Sequence, residues 1–142
     1  MTQTKKLTSG LEDYLEEIYI AHINDTPLKG AELARKLNIS RASVSEALSR
    51  LVNKNLIKYN SYEAISLTNT GLEQAKSVYE KHSTIKDFFE NVLCISAPEA
   101  SENACKIEHI ISQSILEKMT LYSKFCNENP QIIEKFKKET LK

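Results

Sequence analysis

The hydrophobic positions in the first third of the chain recur at the spacing of amphipathic helices. Apolar residues return every three or four positions over residues 11–22, which predicts a helix buried on one side. The same spacing predicts a second helix over 29–37 and a third over 41–53. The break between them ends at Ser40, whose hydroxyl can accept a hydrogen bond from an amide in the first turn of the third helix. Three closely spaced helices are therefore expected.

Two short runs of β-prone residues follow the third helix. They occupy 56–59 and 64–67, and polar residues separate them, as expected for a two-stranded hairpin. Helices followed by a hairpin in this order predict a winged helix-turn-helix. We assign this domain to residues 1–71.

The rest of the chain predicts helices only. A polar link over 68–71 leads into a long helix from 72 to about 93, and Pro98 suits the first turn of the next helix. Helical spacing over 102–123 is typical of a helical hairpin or a dimer surface, and a Lys-rich terminal helix is expected over 131–141. The predicted fold is mainly α: an N-terminal winged helix-turn-helix followed by an all-helical dimerisation domain, residues 72–142.

The composition changes this picture in two respects. The 19 basic residues equal the 19 acidic residues in number, so any nucleic-acid binding must depend on local charge placement. The three cysteines are widely spaced, no apolar leader opens the chain, and no apolar stretch approaches the length of a membrane span. We expect a reduced cytoplasmic protein without a membrane segment.

The third helix carries the expected DNA contacts. In a helix-turn-helix the second helix of the motif enters the major groove, and its N-terminal residues meet base edges and phosphates. Arg41 can contact guanine or phosphate, Ala42 a thymine methyl group, and Glu46 the amino group of cytosine. The full set of candidate DNA-binding residues is Ser40, Arg41, Ala42, Ser43, Ser45, Glu46 and Arg50. The alternative is a protein-docking module, which the near-neutral charge and the absence of Arg or Lys between Tyr59 and Leu67 favour.

Two segments carry side chains that can bind a metal. Asp13 and Glu16 lie one turn apart on the first helix, and Cys105 lies one turn from both Glu108 and His109. Each helix can thus direct several ligands toward one cation. The alternatives are a solvated acidic helix face for the first pair, and a small buried thiol with a hydrogen-bonded core histidine for the second group.

The remaining histidines have simpler interpretations on spacing alone. His82 is expected to be a buried polar residue of the long helix. His22 lies at a helix C-terminus, where an imidazole interacts favourably with the last carbonyl groups.

Residues 10–19, the helix-turn-helix and residues 104–109 together resemble the diphtheria toxin repressor and manganese transport regulator family. The resemblance covers roughly residues 9 to 125 and keeps the order of the motifs. It implies a metal-dependent transcriptional regulator, by default a repressor of metal-uptake genes, which binds a palindromic double-stranded DNA operator as a homodimer. Because the chain ends where manganese-type members end, it resembles the short form that lacks an SH3-like third domain.

The resemblance also implies a set of metal ligands, and this chain departs from the family's patterns at several positions. It makes Asp13, Glu16, Glu108 and His109 primary ligands, adds the thiolate of Cys105, and places His82 in this site or in a neighbouring one. Asp13 matches the manganese-type pattern, whereas Cys105 stands where those proteins have a carboxylate. Lys86 and Ser101 occupy the positions that help to complete an ancillary site in iron-type members. We expect Fe²⁺ or Mn²⁺ as the cofactor, with Co²⁺, Ni²⁺ or Zn²⁺ able to bind in vitro.

Two other functional classes remain to be separated from a metal sensor. A regulator of another class would respond to an organic ligand or to oxidation of Cys105. A metalloenzyme could use the same side chains to activate water, but the chain has no HExxH motif, no glycine-rich phosphate loop and only three glycines. We therefore expect a regulator and not an enzyme.

Overall fold

The computed structural model describes residues 7–60 and 62–142. The chain forms two compact units, one up to Tyr79 and one from Glu80. The elements in chain order are α1 (Ser9–Ile23), α2 (Gly30–Leu37), α3 (Arg41–Asn53), β1 (Ile57–Lys58), β2 (Ser66–Leu67), α4 (Asn69–Asp87), a π-helical turn (Phe88–Val92), α5 (Ala97–Ile107), α6 (Gln113–Glu128) and α7 (Pro130–Thr140). The prediction of a mainly helical fold is confirmed.

The first unit is a winged helix-turn-helix, as predicted. The apolar faces of α1, α2 and α3 pack into one core, in which Leu15, Leu33 and Leu48 have no exposed surface. The hairpin is antiparallel, and Ile57 lies opposite Leu67. Burial of these apolar faces supplies the main stabilisation of the unit.

The strands are shorter than the predicted runs 56–59 and 64–67, because residues at their ends bond elsewhere. The amide of Leu56 donates to the Leu51 carbonyl 3.0 Å away, which ends α3. The amide of Ile65 donates to the Leu28 carbonyl at 2.8 Å, so this residue pairs with the segment before α2. Two ladder positions remain on each strand.

The turn between α2 and α3 depends on two polar residues. Asn38 ends α2 in the left-handed conformation, with φ 54°, which asparagine tolerates better than most residues. Ser40 caps α3, because its hydroxyl accepts from the amide of Ser43 at 3.1 Å. The predicted cap is confirmed.

The predicted polar link over 68–71 is wrong, since α4 already begins at Asn69. Thr68 caps this helix: its hydroxyl accepts from the amide of Gly71 at 3.0 Å and donates to the carbonyl of Asn55 at 2.7 Å. A Cβ atom on Gly71 would lie 1.8 Å from the carbonyl oxygen of Leu56. The first turn of α4 therefore requires a glycine at this position.

The second unit contains two further departures from the predicted helices. Regular α-helix ends at Asp87 and continues as the π-helical turn, instead of running to about residue 93. Cys94 then adopts the left-handed conformation, with φ 59°. The single helical pattern over 102–123 corresponds to the end of α5 and most of α6. A turn lies between these two helices, and Ser112 caps the start of α6.

The apolar spacing of the second unit continues through the turn between α5 and α6, which is why it did not indicate a break. The small core of the unit is built on Ile85, Ala104 and Leu116, and Ile107 and Ile111 pack against it. Pro98 lies in the first turn of α5, as predicted. Among the described residues, the helices fall short of the length and apolarity that crossing a membrane requires.

Candidate metal centre and nucleic-acid interface

Four potential metal ligands lie close together in the second unit. His82 projects from α4, Cys105 from α5, and Glu108 and His109 from the turn that follows α5. The Nδ1 atom of His82 lies 2.8 Å from Glu108 Oε2 and 3.6 Å from Cys105 Sγ. The ligand atoms of His82, Cys105 and Glu108 all lie within 4.8 Å of one another. Three elements thus direct one nitrogen, one sulfur and one oxygen donor toward a common point.

The carboxylate of Glu108 lies at the centre of this cluster. Glu108 is 1% exposed, and among the described residues its Oε1 atom has no hydrogen-bond partner. That atom lies 3.6 Å from His109 Nε2. A buried carboxylate oxygen without a hydrogen bond is costly unless a positive charge compensates it. The arrangement therefore favours a bound cation.

The donor set fits a divalent transition metal. Protein ligands bind such an ion at roughly 2.0–2.3 Å, so several donors on one ion must lie within a few ångströms of one another. Imidazole and thiolate suit Zn²⁺, Fe²⁺ and Co²⁺, while carboxylate oxygen also suits Mn²⁺. Cys105 is exposed and the other three residues are largely buried, which leaves the cluster accessible on the thiol side.

The acidic residues of α1 lie in the first unit and are less exposed than a solvated helix face. Glu16 is 6% exposed and Asp13 is half-buried. Glu12, which the sequence did not single out, is 7% exposed. The spacing of the acidic residues in the sequence does not show that two of these carboxylates are buried.

Spacing alone suggested an ordinary buried role for His82, whereas the family resemblance suggested a ligand. The structure brings His82 to Cys105 and Glu108, although the three residues are far apart in the sequence. Lys86 occupies one of the two positions at which this chain departs from the iron-type pattern. Its cationic side chain pairs with Glu90 at 3.2 Å. Ser101, the other departure, is partly buried on α5.

The predicted DNA-binding residues share the exposed side of α3. Val44, Ala47, Leu48 and Leu51 hold the opposite side of the helix in the core. The hydroxyl of Ser40, besides capping the helix, lies 2.9 Å from that of Ser43. All seven residues expected from the sequence to contact DNA are exposed: Ser40, Arg41, Ala42, Ser43, Ser45, Glu46 and Arg50.

Glu46 and Arg50 form an ion pair along this exposed side. The guanidinium nitrogen of Arg50 lies 2.8 Å from Glu46 Oε1, and both side chains are more than half exposed. Such a pair stabilises a helix by only about 0.3–0.5 kcal/mol, so both groups remain available to a ligand.

Burial, and then the negative charge of Glu46, raises the pKa of Tyr14 on α1 above its ordinary value of 10.0.

Two domains of one protein family match the chain in succession. Residues 6–65 match the N-terminal DNA-binding domain of the iron-dependent repressors. Residues 68–137 match the metal-binding and dimerisation domain of the same repressors. The two matches follow the order of the two units.

Individual relatives agree with these matches. An HTH-type transcriptional regulator of Methanocaldococcus jannaschii is 39% identical over 82% of this chain and 94% of its own length. The transcriptional regulator MntR of Lysinibacillus sphaericus is 23% identical over 90% of this chain and 91% of its own. The solved structure of the manganese regulator SloR is 32% identical, with a TM-score of 0.71, over 85% of this chain. The chain spans about half the length of SloR, 55%.

Proposed function

Because the chain belongs to the iron-dependent repressor family, we propose that it represses metal-uptake genes when it binds Fe²⁺ or Mn²⁺. In this proposal a homodimer binds a palindromic operator in double-stranded DNA. Residues 1–71 form the DNA-binding domain, and residues 72–142 form the metal-binding and dimerisation domain. The family consists of transcriptional regulators and not enzymes, which agrees with the expectation from the sequence.

The observation that carries the proposal is the buried carboxylate of Glu108. It lies within the domain that matches the family's metal-binding domain, with His82 Nδ1 at 2.8 Å and the Cys105 thiol in the same cluster. An ordinary core carboxylate would have its oxygens satisfied by hydrogen bonds. The Oε1 atom has none among the described residues, so a cation is the compensating partner that we propose.

We further propose the ligand set. His82, Cys105, Glu108 and His109 come from the second unit, and the family resemblance adds Asp13 and Glu16 from α1. The carboxylates favour Mn²⁺, while the imidazoles and the thiolate favour Fe²⁺, Co²⁺ or Zn²⁺. SloR is a manganese regulator, and the family is named for iron, so both ions are candidates.

Ligands from α1 couple metal binding to the DNA-binding domain, because α1 packs directly against α3 in the core of that domain. A bound divalent ion supplies positive charge that offsets the repulsion among the carboxylates. Asp13 and Glu16, once held by that charge, fix α1 and thereby α3. A coupling of about 1 to 3 kcal/mol corresponds to a 5- to 150-fold change in DNA affinity.

The experiment that tests the proposal is a selection of duplexes from a random-sequence pool by the purified full-length protein. Parallel selections contain Fe²⁺ under anaerobic conditions, Mn²⁺, or a chelator. We expect a palindromic site to be enriched only in the presence of metal, and the more effective ion identifies the cofactor.

Variants at the site separate a metal sensor from its alternatives. His109→Ala and Glu108→Ala should remove the metal dependence of DNA binding, whereas Glu102→Ala, on the exposed side of α5, should retain it. Equal enrichment with chelator would contradict the proposal and favour a regulator that responds to another signal. In that case, a response of DNA binding to peroxide, lost in Cys105→Ser, would identify oxidation as the signal.

A further inference from the structure

A groove lies between the end of α2 and the start of α3, outside the candidate metal centre. Its volume is about 420 Å³. The residues that line it are Ala31, Ala34, Arg35, Asn38, Ile39 and Arg41. One arginine comes from the last turn of α2 and the other from the first turn of α3, so arginines from two neighbouring helices line one groove.

The two arginines differ from the third arginine of this unit. Arg50 is paired with Glu46 at 2.8 Å. In the part of the chain that the structure describes, Arg35 and Arg41 form no ion pair with a carboxylate, and both are exposed. The first unit is otherwise nearly neutral, with nine basic and eight acidic residues up to Thr68. Two arginines without a carboxylate partner therefore give this groove a local positive charge that an anion can compensate.

The shape of the groove limits what that anion can be. Two of its lining residues, Ala31 and Ala34, have small side chains, which leave room for a group that enters from outside. Ile39, 36% exposed, adds an apolar surface beside the charges. A phosphate attached to a deoxyribose matches this combination, because its oxygens accept from guanidinium groups and its sugar presents carbon atoms.

We propose that Arg35 and Arg41 bind one backbone phosphate of the operator in this groove. The inference rests on the proposed function, since it requires that α3 enters the major groove of DNA. Guanidinium groups bind phosphate through two parallel hydrogen bonds, which fixes orientation as well as charge. Phosphate contacts position a protein on the duplex without reading the sequence. Arg35 and Arg41 are thus positioning residues, and the remaining exposed side chains of α3 read the bases.

The test measures how salt affects binding of the full-length, metal-loaded protein to the duplex that the wild type selects. Each phosphate contact contributes about one unit to the slope of log K against log salt concentration. Because either arginine alone can still neutralise the shared phosphate, the double variant that combines Arg35→Ala with Arg41→Ala should make this slope about one unit less steep. Arg35→Ala alone should weaken binding to all sequences alike. Lys36→Ala is the matched control, because Lys36 is the adjacent exposed cation and does not line the groove, and its slope should be unchanged.

A second measurement identifies the phosphate. Single phosphates of the duplex are replaced in turn by uncharged methylphosphonates, and the affinity of each duplex is measured with wild type, Arg35→Ala and Arg41→Ala. We expect one methylphosphonate position to weaken the wild type and to have a smaller effect on each variant, because each variant keeps only one of the two guanidinium groups. Circular dichroism and thermal unfolding check that each variant is folded. We expect both variants to fold, because both arginines are exposed.

Several outcomes would overturn the inference. They are an unchanged salt slope in the double variant, different methylphosphonate positions for the two arginines, or altered base preference in Arg35→Ala, which would indicate a base contact. These results are distinct from a failure of the proposed function. DNA binding that ignores metal but shows the expected slopes would contradict the metal switch and support the phosphate site, whereas absence of DNA binding would overturn both.

Discussion

The substitution Glu108→Gln separates the role of the buried carboxylate in metal binding from its role in the fold. Glutamine has the shape of glutamate, and its carbonyl oxygen can still accept from His82 Nδ1, the 2.8 Å partner of Glu108 Oε2. It removes the negative charge that we propose as a metal ligand. The metal-free protein should therefore change in stability by no more than about 1 kcal/mol, the net value of one ordinary hydrogen bond.

The metal-bound protein should change much more. An ion that binds only the folded state stabilises it by about 2.7 kcal/mol when free metal is a hundred times the dissociation constant. For a chain of this size, 1 kcal/mol raises the melting temperature by about 4 °C, so the wild type should gain about 10 °C with metal. At the same metal concentration, Glu108→Gln should lose most of this gain because the central ligand is missing.

The assay is thermal unfolding followed by circular dichroism, with Mn²⁺ and with a chelator, for wild type and variant. Glu102→Gln is the matched control, since Glu102 lies on α5, directly before the turn that carries Glu108, is 67% exposed and pairs with Lys106. It should retain the full metal-induced gain. An equal gain in wild type and Glu108→Gln would show that the buried carboxylate has no part in metal binding.

Two further predictions concern the first unit. Gly71→Ala should destabilise the protein by about 3 kcal/mol or more, because the new Cβ atom would lie 1.8 Å from the Leu56 carbonyl oxygen. Gly10→Ala, whose new Cβ atom would have nothing within 4 Å, should stabilise α1 by about 0.5–1 kcal/mol. Urea unfolding of both variants measures this contrast, and equal stabilities would contradict it. Burial, and then Glu46, raises the pKa of Tyr14 above 10.0, so the stability that depends on the neutral phenol is fully present below that pH and is lost as the pH rises through the folded pKa. Tyr14→Phe should reduce this alkaline loss, measured by urea unfolding on both sides of that pH, and an unchanged loss would assign it to other groups.

Much of the fold could be predicted because its apolar spacing is local. The three helices of the first unit and the cap at Ser40 follow from patterns within about four residues. The start of α4 could not be predicted in this way. Gly71 appears as a loop residue in the sequence, but it is glycine because the backbone of Leu56, distant along the chain, passes directly over it.

The candidate metal centre was only partly predictable for a similar reason. The proximity of Cys105, Glu108 and His109 follows from helical spacing, and the structure keeps these residues near one another around the end of α5. His82 lies on another helix, and no local spacing relates it to Cys105. Only the family resemblance suggested that it joins them. Similarly, the groove between Arg35 and Arg41 depends on the left-handed Asn38, whose conformation the sequence alone does not specify.

Whether a metal ion controls DNA binding is measured by the affinity of the full-length protein for its selected duplex, with saturating Fe²⁺ or Mn²⁺ and with a chelator. Fluorescence anisotropy at constant ionic strength reports the dissociation constant under each condition. We predict that metal tightens binding by about 5- to 150-fold, and that Glu108→Gln removes this difference. Equal affinities of the wild type with metal and with chelator would contradict the claim that this regulator senses a metal ion.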